Sequence, residues 1–247
     1  MDVFKRAMSK GIVAIARGTT TGMIVEEILG DFERANYVAG CIRPQRLCLS
    51  LTRDTLPEVA FVDGAMKEIP TSKIVREMKK GDVFIKSANA LDPEFRAGVF
   101  LGNLVGGTMG TTLGTIYAKG IELLIPVGLE KMIPTRIDEA SKRAGILKVS
   151  YSTGMPVGLF PVRGVVVTEI QALESFGNVE VTPIGAGGVR GAEGSVVFSI
   201  SGEKKEVLKV IERVKGVLGE KPLKVPKRLC RECNWPTCPW TGKEKSF

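Results

Sequence analysis

The 247 residues are 44% hydrophobic and 25% charged, the makeup of a folded chain, and the net charge of +8 suits an acidic partner or simply a solvated lysine-rich surface. There is no histidine, which removes Ser-His-Asp and Cys-His catalysis, every histidine-ligated metal and the usual proton-transfer group near neutrality. No stretch approaches the ~18 uninterrupted apolar residues of a membrane span, and the first ten residues lack the apolar run of a signal peptide. The cytoplasm is the expected setting.

Taken in chain order, GIVAIA at 11–16 is a short apolar run without helical spacing. It leads through Arg17 into GTTTG at 18–22 and a helix-like MIVEEILGDF: strand, loop, helix. EVAFVDG at 58–64 opens a second unit, Pro70-Thr71-Ser72 starts a helix to Lys80 that ends at Gly81, and a third strand follows at 82–86. Residues 97–120 read as a short strand, a glycine loop and a helix closed by Gly120. IELLIPVG at 121–128 is the next buried strand, and 135–145 is a helix with Ile137 and Ala140 inward. This alternation predicts an α/β fold over 1–160 with a doubly wound, mostly parallel, Rossmann-like sheet. From 161 to 219 the order strand, helix, strand, strand, helix predicts a small α+β domain, with the glycines of 185–195 in a hairpin loop. Residues 220–247, with Pro222, Pro226, Pro236 and Pro239, form an extended tail that carries cysteines.

Gly18, Thr19, Thr20, Thr21 and Gly22 make an anion cradle, because glycines allow a tight turn while threonine hydroxyls and the first amides of the next helix point outward. An ordinary helix N-cap from Thr20 or Thr21 accounts for the same residues. Gly106, Gly107, Thr108, Gly110 and Thr111 offer equivalent chemistry. Both loops follow predicted strands and are expected to converge on the carboxyl edge of one parallel sheet, where open α/β folds bind ligands. After the third strand, Lys86, Asn89 and Asp92 present a cation, an amide and a carboxylate to that crevice, with turn formation ahead of Pro93 as the plainer account of the last two. Glu130, beside Lys131 after the next strand, is either an acid–base or nucleophilic carboxylate or half of a surface ion pair.

Cys230, Cys233 and Cys238 have the spacing C-x2-C-x4-C, a chelate for zinc or an iron–sulfur cluster, with Lys224, Lys227, Arg228 and Arg231 nearby to hold thiolates charged. The motif lacks a fourth ligand, which Cys41, Cys48, a carboxylate, a partner chain or solvent would supply. The alternative is free or disulfide-forming thiols on a loose tail.

GTTTG after the first strand, VFIKSANALD after the third and GVFLGNLVGGTMG resemble the superfamily of ribose 5-phosphate isomerase A, glucosamine-6-phosphate deaminase and the CoA transferases, over about residues 10–135. The resemblance implies that Gly18 to Gly22 grip a phosphate. The two aspartate positions of the isomerases' DGAD-like motif are occupied here by Lys86 and Asn89. It also makes Glu130 the candidate for the glutamate nucleophile of the transferases, and likens 161–219 to the ferredoxin-like domains of some members. The expected function is binding of a phosphorylated sugar or CoA-like anionic metabolite by an isomerase or transferase, with Asp92 and Glu130 as its reacting carboxylates. The alternative is a non-catalytic metabolite-binding or metal- or redox-sensing regulator. A small anion is the expected partner; nucleic acid is set aside for want of interleaved aromatic and basic residues, and homo-oligomerisation is left open.

Overall fold

The computed structural model describes residues 2–44, 46–226 and 228–243; Lys227 lies outside them. The first half contains α1 (Asp2–Lys10), β1 (Ile12–Ile15), α2 (Thr19–Leu29), β2 (Gly40–Arg43), β3 (Arg46–Leu49), β4 (Val59–Val62), β5 (Ala65–Glu68), α3 (Thr71–Ile74), β6 (Val83–Ile85), β7 (Ala90–Leu91) and β8 (Ala97–Leu101). The second contains α4 (Gly107–Lys119), β9 (Glu122–Pro126), α5 (Ile137–Arg143), β10 (Gly158–Val162), β11 (Val165–Val167), α6 (Glu169–Glu174), β12 (Val179–Gly187), β13 (Ser195–Gly202) and α7 (Lys204–Lys215).

The fold is mixed α/β. Its main sheet has six strands in the order β11-β9-β6-β1-β4-β5, parallel from β11 to β1 and antiparallel at β1–β4 and β4–β5. Alternation along β1 sends Val13 and Ile15 to a core with Ala7 of α1 and Val25 of α2. Ala14 and Ala16 go to the opposite core with Ile74 of α3 and Leu113 and Ile116 of α4. Helices therefore cover both faces. Among the described residues no helix is long and apolar enough to cross a membrane.

Three expectations need correction. The strand at 58–64 does not open a parallel unit: Asp63 and Gly64 both take positive φ, 49° and 83°, and turn β4 straight back into β5. An Asp-Gly pair between apolar runs is a strong hairpin signal, because a two-residue turn of this hand matches strand twist. The helix from Pro70 closes after one turn, at Ile74, and the chain continues through tighter bonds such as Arg76 N–H to Lys73 O and Glu77 N–H to Ile74 O. The second glycine loop does not follow a strand of the main sheet. It follows β8, the centre of a separate antiparallel sheet β10-β8-β7. In the region 161–219 the predicted order appears as β11, α6, β12, β13 and α7, with β11 hydrogen-bonded to β9 of the main sheet.

Tyr37, fully buried, fixes the end of β1 on which the site is built. Its hydroxyl donates to Ile15 O and accepts from Val59 N–H at 3.0 Å, bridging β1 to β4, and its carbonyl accepts Gly18 N–H at 3.0 Å. Tyr37→Phe leaves one buried donor and one buried acceptor unmatched and is expected to lower stability by about 2 kcal/mol. A urea unfolding midpoint unchanged from wild type would show that the bridge contributes nothing.

Candidate functional site

Three neighbouring parallel strands each deliver a cation to the same end of the sheet. Arg17 stands two residues beyond β1, Lys86 directly follows β6, and Lys131 lies in the 3-10 turn Leu129–Lys131 after β9. Lys86 Nζ donates to Arg17 O at 3.4 Å, Lys131 Nζ donates to Ala88 O at 3.2 Å, and Arg17 Nε donates to Leu56 O at 2.8 Å. All three line a crevice of about 340 Å³, within the range of small-molecule pockets. Among the described residues that line it, none is Asp or Glu. Desolvation, and next the charge of Lys131, push the Lys86 ammonium down to about 8, against a smaller opposing pull from Glu58. Burial also lowers Lys131, partly offset by Glu130 and Glu169.

The two glycine-rich loops meet at this crevice although they leave different sheets. Gly18 and Thr19 line it at the start of α2, and Gly106, Gly107 and Thr108 at the start of α4. Neither helix start is capped by its N-cap side chain, since both N-caps are glycine. Helix starts built this way turn backbone N–H groups and the positive dipole end toward a ligand. Gly106 and Gly107 need their positive φ of 78° and 57°, and Asn103 Oδ1 holds the turn by accepting from Val105 and Gly107 N–H at 3.1 and 2.8 Å. Asn89 lines the crevice too, with its Oδ1 accepting Phe100 N–H at 2.9 Å.

Other expected residues stand elsewhere. Thr20 is held by Ser87, whose hydroxyl donates to Thr20 Oγ1 at 3.4 Å. The Thr21 hydroxyl donates to Ala16 O at 2.7 Å, so it is spent on the backbone; Gly22 packs beside Arg34 and Tyr37. A Cβ on Gly110 would fall 1.9 Å from Val105 O, so this glycine serves close packing of its own loop, and Thr111 donates to Gly107 O at 3.1 Å. Glu130 is exposed, with its carboxylate 3.9 Å from Lys131 Nζ and outside the crevice lining, so the plain ion pair describes it.

Asp92 is also outside the lining and fully buried. One oxygen accepts from Glu94 and Arg96 N–H, both at 3.0 Å; the other accepts from Arg96 Nε and from Ile137 N–H, each at 2.9 Å. Burial works against its charge, but the bonds from Ile137, Arg96 and Glu94 outweigh it and hold the carboxyl below its ordinary value. Asp92 thus ties the β7–β8 turn to the first residue of α5, a structural duty that leaves no lone pair for a substrate. The reading of the sequence missed Ser87, Asn103 and the place of Arg17 and Lys131 in the site. The available signal was a basic residue after each of three buried strands.

The tail beyond α7 folds back on the β2–β3 hairpin. Arg43 Nη2 donates to Val225 O at 3.1 Å, Trp235 Nε1 to Gly102 O at 3.0 Å and Trp240 Nε1 to Ser152 O at 3.1 Å. Cys230, Cys233 and Cys238 come together with Cys48 of β3 around a small cavity of about 30 Å³. All are free, partly buried thiols. Arg46 Nη1 lies 3.4 Å from Cys230 Sγ, with its guanidinium 5.3 Å from the centre of the Trp240 ring. Burial first, then the neighbouring Cys230, push the Cys48 thiol up, while Arg46 and Arg43 draw it down. Among the described residues no group of three or more His, Cys, Asp or Glu is placed to hold a metal ion.

If Asp92 is structural, Asp92→Ala should cost about 3 kcal/mol by urea denaturation, because it leaves the Glu94, Arg96 and Ile137 N–H groups without their acceptor, while the Arg96 guanidinium keeps Glu94 and Asp138. Since the folded-state value is depressed, this contribution is present above an ordinary aspartate pKa of about 3.9 and fades as pH falls through the folded value. A variant with unchanged stability and lost ligand binding would return Asp92 to the site. Comparison of the chain with protein-family models, curated proteins and solved structures finds no match.

Proposed function

We propose that the chain binds an anionic small metabolite in the crevice, with the anionic group on Arg17, Lys86, Lys131 and the starts of α2 and α4. The observation that carries this reading is the convergence of three cations with no carboxylate among the described lining residues. Leu47, Leu49, Phe100, Met155, Val157 and Trp235 line the same crevice. That apolar wall favours a CoA-like ester, with a larger apolar or planar body, over a bare phosphorylated sugar. In this reading the sheet is a Rossmann-like platform with 161–219 as its α+β adjunct, and the setting is the reducing cytoplasm.

With Asp92 and Glu130 away from the crevice, an isomerase or transferase would have to work through Lys86. A lysine near 8 is within the range of catalytic bases and amine nucleophiles. A second reading, a non-catalytic metabolite sensor, is favoured by the same lack of lining carboxylates, since it asks nothing of the crevice beyond binding.

In both readings the anion binds most tightly while Lys86 is charged, and in the enzyme reading the chemistry draws on the neutral fraction of the same lysine. Because its value is lowered to about 8, affinity should fall as pH rises through that value. Calorimetric titration with CoA esters and phosphorylated sugars at about pH 7 and about pH 9.5 should show affinity weaker by about tenfold at the higher pH, equal to about 1.4 kcal/mol. Lys86→Met should bind about tenfold more weakly at the lower pH and respond less to pH. Wild-type binding that is indifferent to pH, or unaffected by Lys86→Met, would contradict the assignment.

A further inference from the structure

We propose that Cys48, Cys230, Cys233 and Cys238 together ligate an iron–sulfur cluster of the 4Fe–4S type, with Cys48 as the fourth ligand. This inference does not rest on the anion-binding reading. Cys48 is 182 residues before Cys230 in the chain, yet β3 carries it to the cavity that the three tail thiols line. The tail is anchored for this by side chains on both sides of the cysteines, Arg43 before them and Trp235 and Trp240 among and after them.

The space between the sulfurs separates the cluster from a zinc ion. A tetrathiolate zinc site draws each sulfur to about 2.3 Å from the metal, which leaves no void between them. Here the four thiols border a cavity of about 30 Å³. A cluster fills a space between the cysteines with its own sulfides and irons. The surroundings suit it as well. Each thiol releases its proton on ligation, leaving a net negative centre, and Arg46 and Arg228 line the same cavity. Arg46 Nη1 already points at Cys230 Sγ at 3.4 Å, a contact of the kind that tunes cluster potential. Met155, Trp235 and Trp240 give the rest of the cavity an apolar wall.

Cys41 provides the control. It sits directly across the hairpin from Cys48, but its Sγ lies 3.3 Å from Ser50 Oγ and it is not among the residues that line the cavity.

The test is iron, acid-labile sulfide and zinc analysis of the full chain, purified without oxygen and reconstituted with equal ferrous and ferric iron and with sulfide. About four irons and about four sulfides per chain with a brown chromophore are expected. Cys48→Ser should lose at least half of the iron, and Cys41→Ser should keep it. Stoichiometric zinc, or no retained iron, would overturn the cluster. Full iron in Cys48→Ser, or equal loss in Cys41→Ser, would overturn the choice of fourth ligand. Should Cys48→Ser fail to fold, iron X-ray absorption on the wild-type chain decides. An all-sulfur shell with iron–iron scattering supports the assignment, and nitrogen or oxygen ligands without iron neighbours refute it.

Discussion

Two ammonium groups resting on the backbone of the same loop region repel one another, and partial burial deprives them of the water that would screen that repulsion. Lys86 leans on Arg17 O and Lys131 on Ala88 O, and Arg17 itself adds a third charge to the crevice. In the free protein desolvation first, and the charge of Lys131 next, lower the Lys86 ammonium to about 8. A bound anion would act in the opposite direction, keeping the lysine charged. Much of the surrounding architecture serves this arrangement: the parallel run β1-β6-β9 sets the three cations side by side, and Tyr37 anchors both the end of β1 and the first glycine loop.

The β2–β3 hairpin joins this crevice to the thiol cavity. Leu47 and Leu49 line both, and Cys48 between them lines the thiol cavity. Trp235 also borders both spaces, and its indole N–H holds Gly102 beside the second glycine loop. A centre that fixed the tail on β3 would therefore fix one wall of the anion crevice. The proposed cluster and the proposed ligand site are neighbours through four shared residues, Leu47, Leu49, Met155 and Trp235.

Strand-then-helix order and the two glycine loops were legible in the sequence because apolar runs and glycine punctuation are local signals. The pairing of strands was less so. Asp63-Gly64 announced a hairpin, but the apolar 58–64 run reads equally as a parallel strand when the short polar-edged strand Ala65–Glu68, exposed throughout, carries no core pattern. The assignment of β8 to a sheet of its own depends on β10, some sixty residues later, which no local pattern announces. Of the expected residues, Gly18, Thr19, Lys86, Asn89, Gly106, Gly107 and Thr108 line the crevice. Side chains drawn elsewhere by distant partners were harder to read. Asp92 has the composition of a catalytic acid but turns inward to cap α5 across a gap of 45 residues, and Cys48 reaches the tail thiols only through the return of the chain end.

The central claim, an anion held by cations that repel one another in its absence, is tested most directly by following the Lys86 side chain itself. Carbon-13 NMR of the lysine ε-carbons, assigned with Lys86→Met, would track its titration with and without a saturating CoA ester. The account predicts a midpoint near 8 in the free protein, moving upward when the ester binds. A midpoint at the ordinary lysine value of about 10.4, unmoved by the ester, would contradict it.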